Sequence, residues 1–479
     1  MTLGTYRRSV SDLLRDVDSS SAVLVAGSGD AVVNAITHDS RRVERGSMFC
    51  CVRGVQRDGH DFASAAIERG ASALLVDHRL DGVGEVAQIV VGNVRSEIGP
   101  LASALFGHPS RKLSVVGITG TNGKTTTAQL LGSILRASGT STDILGTLTG
   151  ALTTPEPADL QRTLAERHAN YVRSVVMEVS SHALSLDRVR GTSFALAIFT
   201  NLGRDHLDFH GTQEAYFEAK ARLFEPDLSR IAVVNIDDQF GRRLLDRAST
   251  PIVPFSMDDV SDAEVSAIAH SYAWRGVTVK VAIGGSVNVM NSLAAATAAR
   301  ELGVDVDAIV EGLRVAPVVP GRFEHVDAGQ DFVVLVDFAH TPEGLGEMLR
   351  SVRQATTNGR VIVVFGCGGD RDKMKRPIMG ETAALLADAV IVTSDNPRSE
   401  DPEAIIASVV AGVPDHLRHR LFGTEPDRRA AISLAFRHAR RGDVVVIAGK
   451  GHEHSQSIGS EIIDFDDRVV ARDLLEGRR

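Results

Sequence analysis

The glycine-rich segment at residues 117–127 constrains this chain more than any other stretch. It reads Gly-Ile-Thr-Gly-Thr-Asn-Gly-Lys-Thr-Thr-Thr and directly follows the apolar run Leu113–Val116. Glycines let backbone N–H groups approach phosphate oxygens closely, and the N-terminus of a following helix adds partial positive charge. In such a loop Lys124 would reach the terminal phosphates and the Thr125 hydroxyl would reach Mg²⁺. The segment therefore predicts a nucleoside triphosphate as the energy source.

The match to the general phosphate-loop pattern is incomplete. That pattern has a glycine five residues before Gly123, where this chain has Ile118, so only the shorter form that starts at Gly120 remains. A glycine-rich turn that holds no nucleotide is the alternative. The order of strand, loop and helix favours the nucleotide.

Composition and charge limit the classes of protein that this chain can belong to. Its 479 residues exceed one hydrophobic core, so we expect two to four domains, with three favoured. The net charge of −9, with no long basic block, argues against nucleic acid as a partner. The three cysteines lack metal-ligand spacing, which favours a cytoplasmic protein. We expect no signal peptide and no membrane span, because no apolar run approaches 18 residues.

Short runs rich in Val, Ile and Leu alternate with helical periods, which predicts the α/β class with mostly parallel sheets. Segments 107–110 and 316–321 read as linkers and divide the chain into domains 1–108, 109–318 and 319–479. Ligands of such sheets bind where the strands end. The predicted strands that precede functional-looking residues are Ser174–Val179, Phe194–Thr200, Ile231–Asn235, Phe332–Asp337, Val361–Gly366, Ala389–Thr393 and Asp443–Ala448.

Two strand ends of the middle domain carry candidate groups. Glu178 follows one strand and is equally consistent with a Mg²⁺ ligand and with a structural role. Segment 201–210, which follows the next strand, holds two histidines, two aspartates and an arginine, a density that favours a functional site. Lys220 lies on the apolar face of the helical segment Tyr216–Phe224. These residues alone favour a lysine that extends its ammonium to water.

The third domain has three polar loops after three apolar strands: Gly366–Arg376, Asp395–Arg398 and Gly449–Glu453. Arginines in such loops commonly bind carboxylates or phosphates through bidentate hydrogen bonds. Each loop alone could be a solvated turn. Because all three are predicted at strand ends of one sheet, a shared pocket is the better interpretation.

Taken together, these segments resemble the Mur ligase family over nearly the whole chain. The resemblance implies three α/β domains, with a central P-loop parallel-sheet ATPase domain and a C-terminal Rossmann-like domain. The matching segments are Gly120–Thr125, Thr153–Glu156, Glu178–His182, Asn201–His210, Gly321–Glu324, Asp337–Pro342, Gly368–Asp372, Asp395–Arg398 and Gly449–Glu453.

The resemblance also implies a reaction in peptidoglycan synthesis. ATP would phosphorylate a carboxylate of a UDP-linked muramoyl dipeptide, and the amine of an amino acid would attack the acyl phosphate to form an amide. Asp395–Arg398 resembles the form that selects meso-diaminopimelate, since Arg398 can pair with the second carboxylate of that substrate while lysine presents only an ammonium there. The expected partners are thus small molecules, and a monomer is expected.

Residue roles follow from the same resemblance. The catalytic set is Lys124, Glu178, His206 and Lys220. The ATP set is Gly120, Thr121, Asn122, Gly123, Lys124, Thr125, Thr126, Arg322 and Asp337, with Asn291 near the adenine. The UDP end would be held by Ser40, Gln56 and Arg57, and the muramoyl-peptide end by Thr153, Thr154, Ser180 and Arg188. The amino-acid set is Arg371, Asp395, Asn396, Pro397, Arg398, Gly449 and Glu453. The metal set is Thr125, Glu178, His206 and Lys220.

Lys220 matches the lysine that carries a carbamate in this family, which overturns the interpretation from the residues alone. A bare ammonium beside Mg²⁺ would repel the metal, whereas a carbamate supplies anionic oxygens. Carbamylation needs a neutral amine, and therefore a pKa depressed by burial and nearby cations.

Several alternatives stay open. The stretch 146–153 is shorter than usual in the family, and Leu186 stands where some members have glutamine. A related ligase that uses L-lysine or a modified muramoyl peptide therefore remains an alternative. The others are a folylpolyglutamate-type ligase, a P-loop kinase or GTPase, and a catalytically silent binding protein.

Overall fold

The computed structural model describes residues 6–17, 22–54, 56–356 and 358–477. It contains three predominantly parallel sheets, which follow one another along the chain. Helices cover the sheets, as the alternation of apolar runs and helical periods predicts. The predicted domain limits 1–108, 109–318 and 319–479 stay a prediction.

The first sheet has the order β2-β7-β6-β5-β4, in which only the edge strand β2 runs antiparallel to its neighbour. Its inner strands are almost completely buried, and Cys50 and Cys51 are core residues. The strands of this part are β1 (Arg8–Ser9), β2 (Val23–Ala26), β3 (Val32–Val33), β4 (Ala35–Thr37), β5 (Ser47–Cys50), β6 (Ala73–Val76) and β7 (Ala87–Val90). The helices are α1 (Val10–Asp16), α2 (Ala63–Glu68), α3 (Val94–Leu105) and α4 (Pro109–Lys112).

The second sheet is parallel throughout, with the order β13-β12-β11-β8-β10-β9. Its strands are β8 (Ser114–Thr119), β9 (Thr142–Leu145), β10 (Ser174–Glu178), β11 (Leu196–Phe199), β12 (Ala232–Asn235) and β13 (Ile252–Phe255). The helices between them are α5 (Lys124–Ala137), α6 (Pro157–Ala169), α7 (Ser181–Ser185), α8 (Leu207–His210), α9 (Gln213–Ala221) and α10 (Gln239–Arg247).

An antiparallel three-stranded sheet follows this parallel sheet and departs from the predicted parallel pattern. It consists of β14 (Ser261–Val265), β15 (His270–Trp274) and β16 (Val277–Val281), and it is followed by α11 (Ser286–Glu301) and α12 (Val306–Arg314). Both helices pack on α5, where Leu130, Ile134, Leu293 and Leu313 share one buried cluster. This packing fixes the helix that begins at the phosphate loop.

The third large sheet has the order β17-β18-β22-β19-β20-β21 and is parallel apart from the edge strand β17. Its strands, with a separate hairpin of β23 and β24, are β17 (Glu324–His325), β18 (Val333–Asp337), β19 (Val361–Phe365), β20 (Ala389–Thr393), β21 (Leu421–Glu425), β22 (Val444–Ala448), β23 (Ser455–Ile458) and β24 (Glu461–Asp464). Its helices are α13 (Pro342–Ala355), α14 (Lys375–Leu386), α15 (Pro402–Val410), α16 (Arg428–His438) and α17 (Asp467–Glu476).

The strands predicted from the sequence form within one or two residues of their expected limits. The predicted strand Phe194–Thr200, for example, is Leu196–Phe199, and the predicted helical segment Tyr216–Phe224 ends in a short 3₁₀ turn at Arg222–Phe224. Among the helices of the described ranges, none combines the length and apolar character that a bilayer crossing requires.

Candidate active site

The phosphate loop connects the end of β8 to the start of α5, at the carboxyl edge of the second sheet. Gly123 has φ +85°, and a Cβ there would lie 2.3 Å from Oδ1 of Asn291, so the turn requires glycine. The Lys124 ammonium donates to the carbonyl oxygens of Gly120 at 2.8 Å and of Thr121 at 2.9 Å. Burial lowers the pKa of Lys124. The loop thus folds around a partly buried cation whose ammonium donates to two backbone carbonyls.

Glu178 lies beside this loop at the end of β10 and is 2% exposed. The Thr125 hydroxyl donates to its Oε2 at 2.9 Å, while Thr147 donates to Oε1 from its backbone N–H at 2.9 Å and to Oε2 from its hydroxyl at 3.2 Å. Carboxylate and hydroxyl oxygens in this arrangement are suitable ligands for Mg²⁺. Sequence reasoning missed Thr147, although it follows the end of β9 and could have been found by the same strand-end argument.

Lys220 is 1% exposed, so the interpretation that it extends to water is wrong. Its ammonium donates to the Gly120 carbonyl at 2.8 Å and lies 4.6 Å from the centre of the Tyr216 ring. Burial, and then the charge of Lys124, lower the pKa of Lys220 well below its usual value. The site therefore favours the neutral amine that carbamylation requires.

A group of aromatic side chains surrounds His206 next to these lysines. The His206 ring lies 4.7 Å from His182 and 6.1 Å from Tyr216, measured between ring centres. Burial lowers the pKa of His206 to about 4 although Asp205, whose Oδ2 is 3.4 Å from Nε2, acts in the opposite direction. A neutral imidazole is the form that binds metal. Asp205 is a further acidic group that sequence reasoning did not assign.

Residues of the third domain also reach the phosphate loop. The Arg322 guanidinium lies 4.5 Å from the Phe338 ring centre and donates to the Thr125 hydroxyl at 3.4 Å. Asp337 accepts from the backbone N–H of Phe323 at 2.8 Å, and burial raises its pKa even though Arg322 opposes this. The predicted ATP residues from both domains thus lie close together.

Two further predicted ATP residues bridge separate elements. Asn122 in the loop donates from its side chain to Oε2 of Glu347 in α13 at 3.0 Å. Asn291 in α11 lies against Gly123 and accepts from the Thr127 hydroxyl at 3.5 Å. Asn291 therefore contacts the phosphate loop, and its assignment to the adenine stays a prediction.

The residues predicted for the muramoyl peptide lie directly beside Glu178. The Thr154 hydroxyl donates to the Glu178 carbonyl at 3.0 Å and accepts from the Ser180 backbone N–H at 3.0 Å. Arg188 donates to the Thr154 carbonyl at 3.2 Å. The Thr153 and Thr147 hydroxyl oxygens are 3.1 Å apart. This group therefore adjoins Glu178, and its role in binding a substrate stays a prediction.

The residues predicted for the UDP end lie elsewhere, in the first domain. Ser40 opens a short 3₁₀ turn and is half-buried, while Gln56 and Arg57 are exposed. Arg42 and Asp159 form a bidentate ion pair at 2.8 and 2.9 Å between this domain and α6. The first domain is thus attached next to the residues predicted for the muramoyl peptide.

In the third domain, β19, β20 and β22 are neighbours in the sheet, so the loops that follow them meet. Arg398 donates to the Gly369 carbonyl at 2.6 Å, and Asn396 donates from its side chain to Oε2 of Glu453 at 2.9 Å. A Cβ on Gly449 would lie 2.7 Å from Oδ2 of Asp395. Pro397 is buried and Arg371 is exposed at the same edge. The structure therefore brings all three predicted loops together at one edge of the sheet, and a shared amino-acid pocket there stays a prediction.

Three family profiles match successive parts of the chain. They are described as the Mur ligase family, catalytic domain (residues 32–104), the Mur ligase middle domain (residues 118–299) and the Mur ligase, glutamate ligase domain (residues 321–451). The matches follow the order of the three large sheets.

Curated relatives match nearly the full length. A UDP-N-acetylmuramoyl-L-alanyl-D-glutamate--2,6-diaminopimelate ligase of Syntrophomonas wolfei is 42% identical, with 94% of this chain and 96% of the relative covered. The ligase of the same name from Streptomyces avermitilis is 43% identical, with 93% of each chain covered. A solved structure of a ligase with this name superposes with a TM-score of 0.70 at 31% identity and covers 98% of this chain and 99% of its own.

Proposed function

The chain belongs to the Mur ligase family, and on this basis we propose that it adds meso-diaminopimelate to UDP-N-acetylmuramoyl-L-alanyl-D-glutamate, with ATP as the energy source, in peptidoglycan synthesis. One observation carries the proposal. The phosphate loop, Glu178 and the buried Lys220 lie together at one sheet edge, as an ATP-dependent ligase requires. The names of the relatives support the choice of substrates.

The chemistry begins with activation of a carboxylate, because a free carboxylate has no good leaving group. A substrate carboxylate oxygen attacks the γ-phosphorus of ATP, so that ADP leaves and an acyl phosphate forms. Lys124 and Arg322, both partly buried beside the loop, neutralise charge on the transferring phosphoryl group. The amine of the incoming amino acid then attacks the acyl carbon, phosphate leaves, and the nitrogen loses a proton to give the amide.

We assign Mg²⁺ to Thr125, Glu178, His206 and a carbamate on Lys220. The donor set fits, since it combines a hydroxyl and a carboxylate in contact at 2.9 Å with a neutral imidazole nearby. When bound, Mg²⁺ lowers the energy of the negatively charged transition state of phosphoryl transfer. The side chain of Lys220 contributes its position between the Gly120 carbonyl and the Tyr216 ring.

We infer that the acceptor spans the first two domains. Ser40, Gln56 and Arg57 would hold the uridine diphosphate end. Thr153, Thr154, Ser180 and Arg188 would hold the muramoyl-peptide end, since they surround Glu178. Because ATP and a UDP-linked precursor are both required, we place the reaction in the cytoplasm; the monomeric state stays a prediction.

We assign the amino-acid pocket to the three loops of the third domain. Arg398 would pair with the second carboxylate of meso-diaminopimelate, and lysine would place an ammonium at that point and be repelled. Glu453 and Asn396, in contact at 2.9 Å, would bind the zwitterionic centre together with Arg371, Asp395, Pro397 and Gly449.

The decisive experiment incubates the purified protein with UDP-muramoyl dipeptide, ATP and a panel of amino acids, and measures phosphate release and peptide product. We expect a new peptide bond with meso-diaminopimelate and little with L-lysine. Equal turnover of L-lysine would favour the related ligase named as an alternative. ATP or GTP hydrolysis without any amide product, or turnover of a folate substrate, would overturn the proposal.

A further inference from the structure

The side chain of Lys450, in the loop after β22, is completely buried and belongs to none of the sets assigned above. Its ammonium donates to Oδ1 of Asn396 at 3.2 Å, to Oε2 of Glu453 at 2.8 Å and to the Ser455 carbonyl at 2.7 Å. A lysine ammonium has three hydrogens to donate. All three are therefore used within the protein, and Lys450 acts on a substrate only through its neighbours.

The first neighbour, Asn396, has a fixed amide orientation. Its Oδ1 accepts from Lys450 and also from the backbone N–H of Ser457 at 3.0 Å, while its Nδ2 donates to Glu453. Rotating the amide by 180° would place its NH₂ group against the ammonium and a backbone N–H. The amide consequently keeps its donor side towards Glu453, with one N–H remaining for a ligand.

The second neighbour, Glu453, combines a buried and an accessible part. Its side chain is 36% exposed, and Oε2 accepts from both Lys450 and Asn396. Burial raises the pKa of Glu453, but the charge and hydrogen bond of Lys450, together with the hydrogen bond of Asn396 and the charge of His452, outweigh it, so that the pKa is lowered. The other charged or titratable groups that face Glu453 are His452 on the same loop, whose pKa burial lowers to about 4, and Arg428 from α16.

We propose that Lys450 is a positioning residue that sets the polarity of the amino-acid pocket. It holds Glu453 as an anion for the ammonium of the incoming amino acid, and it holds Asn396 with an N–H directed at the carboxylate. This inference rests on the proposed function, since it deepens the assignment of the same pocket. Its physical basis is that a buried cation between an amide oxygen and a carboxylate permits only one arrangement of donor and acceptor.

The test compares Lys450→Met with Arg360→Met. Arg360 is paired with Asp443 at 2.7 Å and binds the His438 carbonyl, but it lies at the opposite, amino-terminal end of β19 and β22. We expect Lys450→Met to raise the KM for meso-diaminopimelate by about 30-fold, as for loss of charge-assisted hydrogen bonds, with the KM for ATP changed by less than about threefold. Arg360→Met lowers the melting temperature and leaves both KM values unchanged.

Two further readouts separate positioning from a general loss of structure. The acidic limb of the pH–rate profile moves to higher pH in Lys450→Met, because the pKa of Glu453 rises when the neighbouring ammonium is removed. Lys450→Arg retains the charge and keeps the limb where it is in the wild type. If Lys450→Met does not fold, Lys450→Arg alone is compared: a raised KM for the amino acid with an unmoved limb supports the inference, and an unchanged KM overturns it.

The outcome is also separable from failure of the proposed function. Carbon-13 NMR of labelled glutamate measures the pKa of Glu453 without any substrate, with Glu453→Gln to assign the signal. We expect a higher pKa in Lys450→Met than in the wild type. An unchanged pKa, or an equal rise of all substrate KM values, overturns the inference, whereas a wild-type protein that forms no amide overturns only the function.

Discussion

The carboxyl edges of the second and third large sheets both contain buried charged side chains, but they differ in the groups that these side chains contact. At the second sheet, Lys124 and Lys220 donate to backbone carbonyls, and burial lowers the pKa of each. His206 is shifted to a pKa of about 4 for the same reason. Burial therefore makes the charged form of each group less stable, and a negatively charged ligand would offset that cost.

The third sheet instead pairs its buried charges. Arg428 and Asp467 are both completely buried and form a bidentate pair at 2.7 Å. Lys450 pairs with Glu453 at 2.8 Å in the adjoining loop. Such pairs offset the cost of burial and define a fixed pattern of donors and acceptors. The difference is that the third sheet offsets its buried charges within the protein, whereas the second leaves that cost to be offset by a ligand.

The largest effect is expected at Lys220. Lys220→Ala should lower kcat by about 10³-fold, since the anionic carbamate oxygens proposed for this position are lost with the side chain. A short carboxylic acid such as acetate should restore part of the activity by supplying the missing anionic oxygens. Lys280→Ala, at an exposed position of β16, is the control and should keep full activity. Full activity of Lys220→Ala without added acid would contradict the carbamate role.

Breaking a charge pair of the third sheet should cost stability. Arg428→Met leaves Asp467 buried without its partner and removes donors to the Ser394 and Ala448 carbonyls. We expect a loss of about 4 kcal/mol in the free energy of unfolding, measured with urea. Arg429→Met, next in sequence but about half exposed, should cost less than about 0.5 kcal/mol. Equal losses in the two variants would show that the pair is not structural.

The antiparallel sheet that follows the second large sheet should make the stability of the protein depend on pH through a buried neutral histidine. His270 in β15 bonds the Ile283 carbonyl and the Ser292 hydroxyl, and burial lowers its pKa to about 4. As the pH falls below the ordinary pKa of 6.5, His270 becomes protonated in the unfolded chain. In the folded protein it stays neutral until the pH reaches about 4. Stability should therefore fall over this window, by up to about 3 kcal/mol.

The variant His270→Gln cannot titrate and should show a flatter dependence of unfolding free energy on pH between 6.5 and 4. His419→Gln, an exposed position, serves as the matched control and should retain the wild-type slope. A slope that is the same in wild type and His270→Gln would rule out this histidine as the source.

The smallest effect is expected for the replacement of Arg398, in the loop that follows β20 of the third large sheet. Arg398→Ala should raise the KM for meso-diaminopimelate by about 30-fold, as for one lost charge-assisted contact, and change the KM for ATP by less than about twofold. Arg418→Ala, more than half exposed in a surface turn, should change neither. Parallel increases for both substrates would place Arg398 outside amino-acid recognition.

Much of the site could be predicted because its parts are local. The phosphate loop is a continuous segment, and Glu178 lies at the end of a short apolar strand. The loops Asp395–Arg398 and Gly449–Glu453 likewise follow such strands, and parallel strands bring their carboxyl ends to one edge. The antiparallel strands β14–β16 were not predicted, because short apolar runs alone do not give strand direction.

The sequence by itself determined the α/β class, the energy source and the segments that approach the substrates, because periodicity and glycine turns act within a few residues. Only the tertiary structure decided the state of individual charges. Lys220 contacts Gly120 across 100 positions, Thr147 contacts Glu178 across 31, and Lys450 contacts Asn396 across 54. Whether a buried amine is neutral or paired depends on such distant neighbours, since burial and charge act through space and not along the chain.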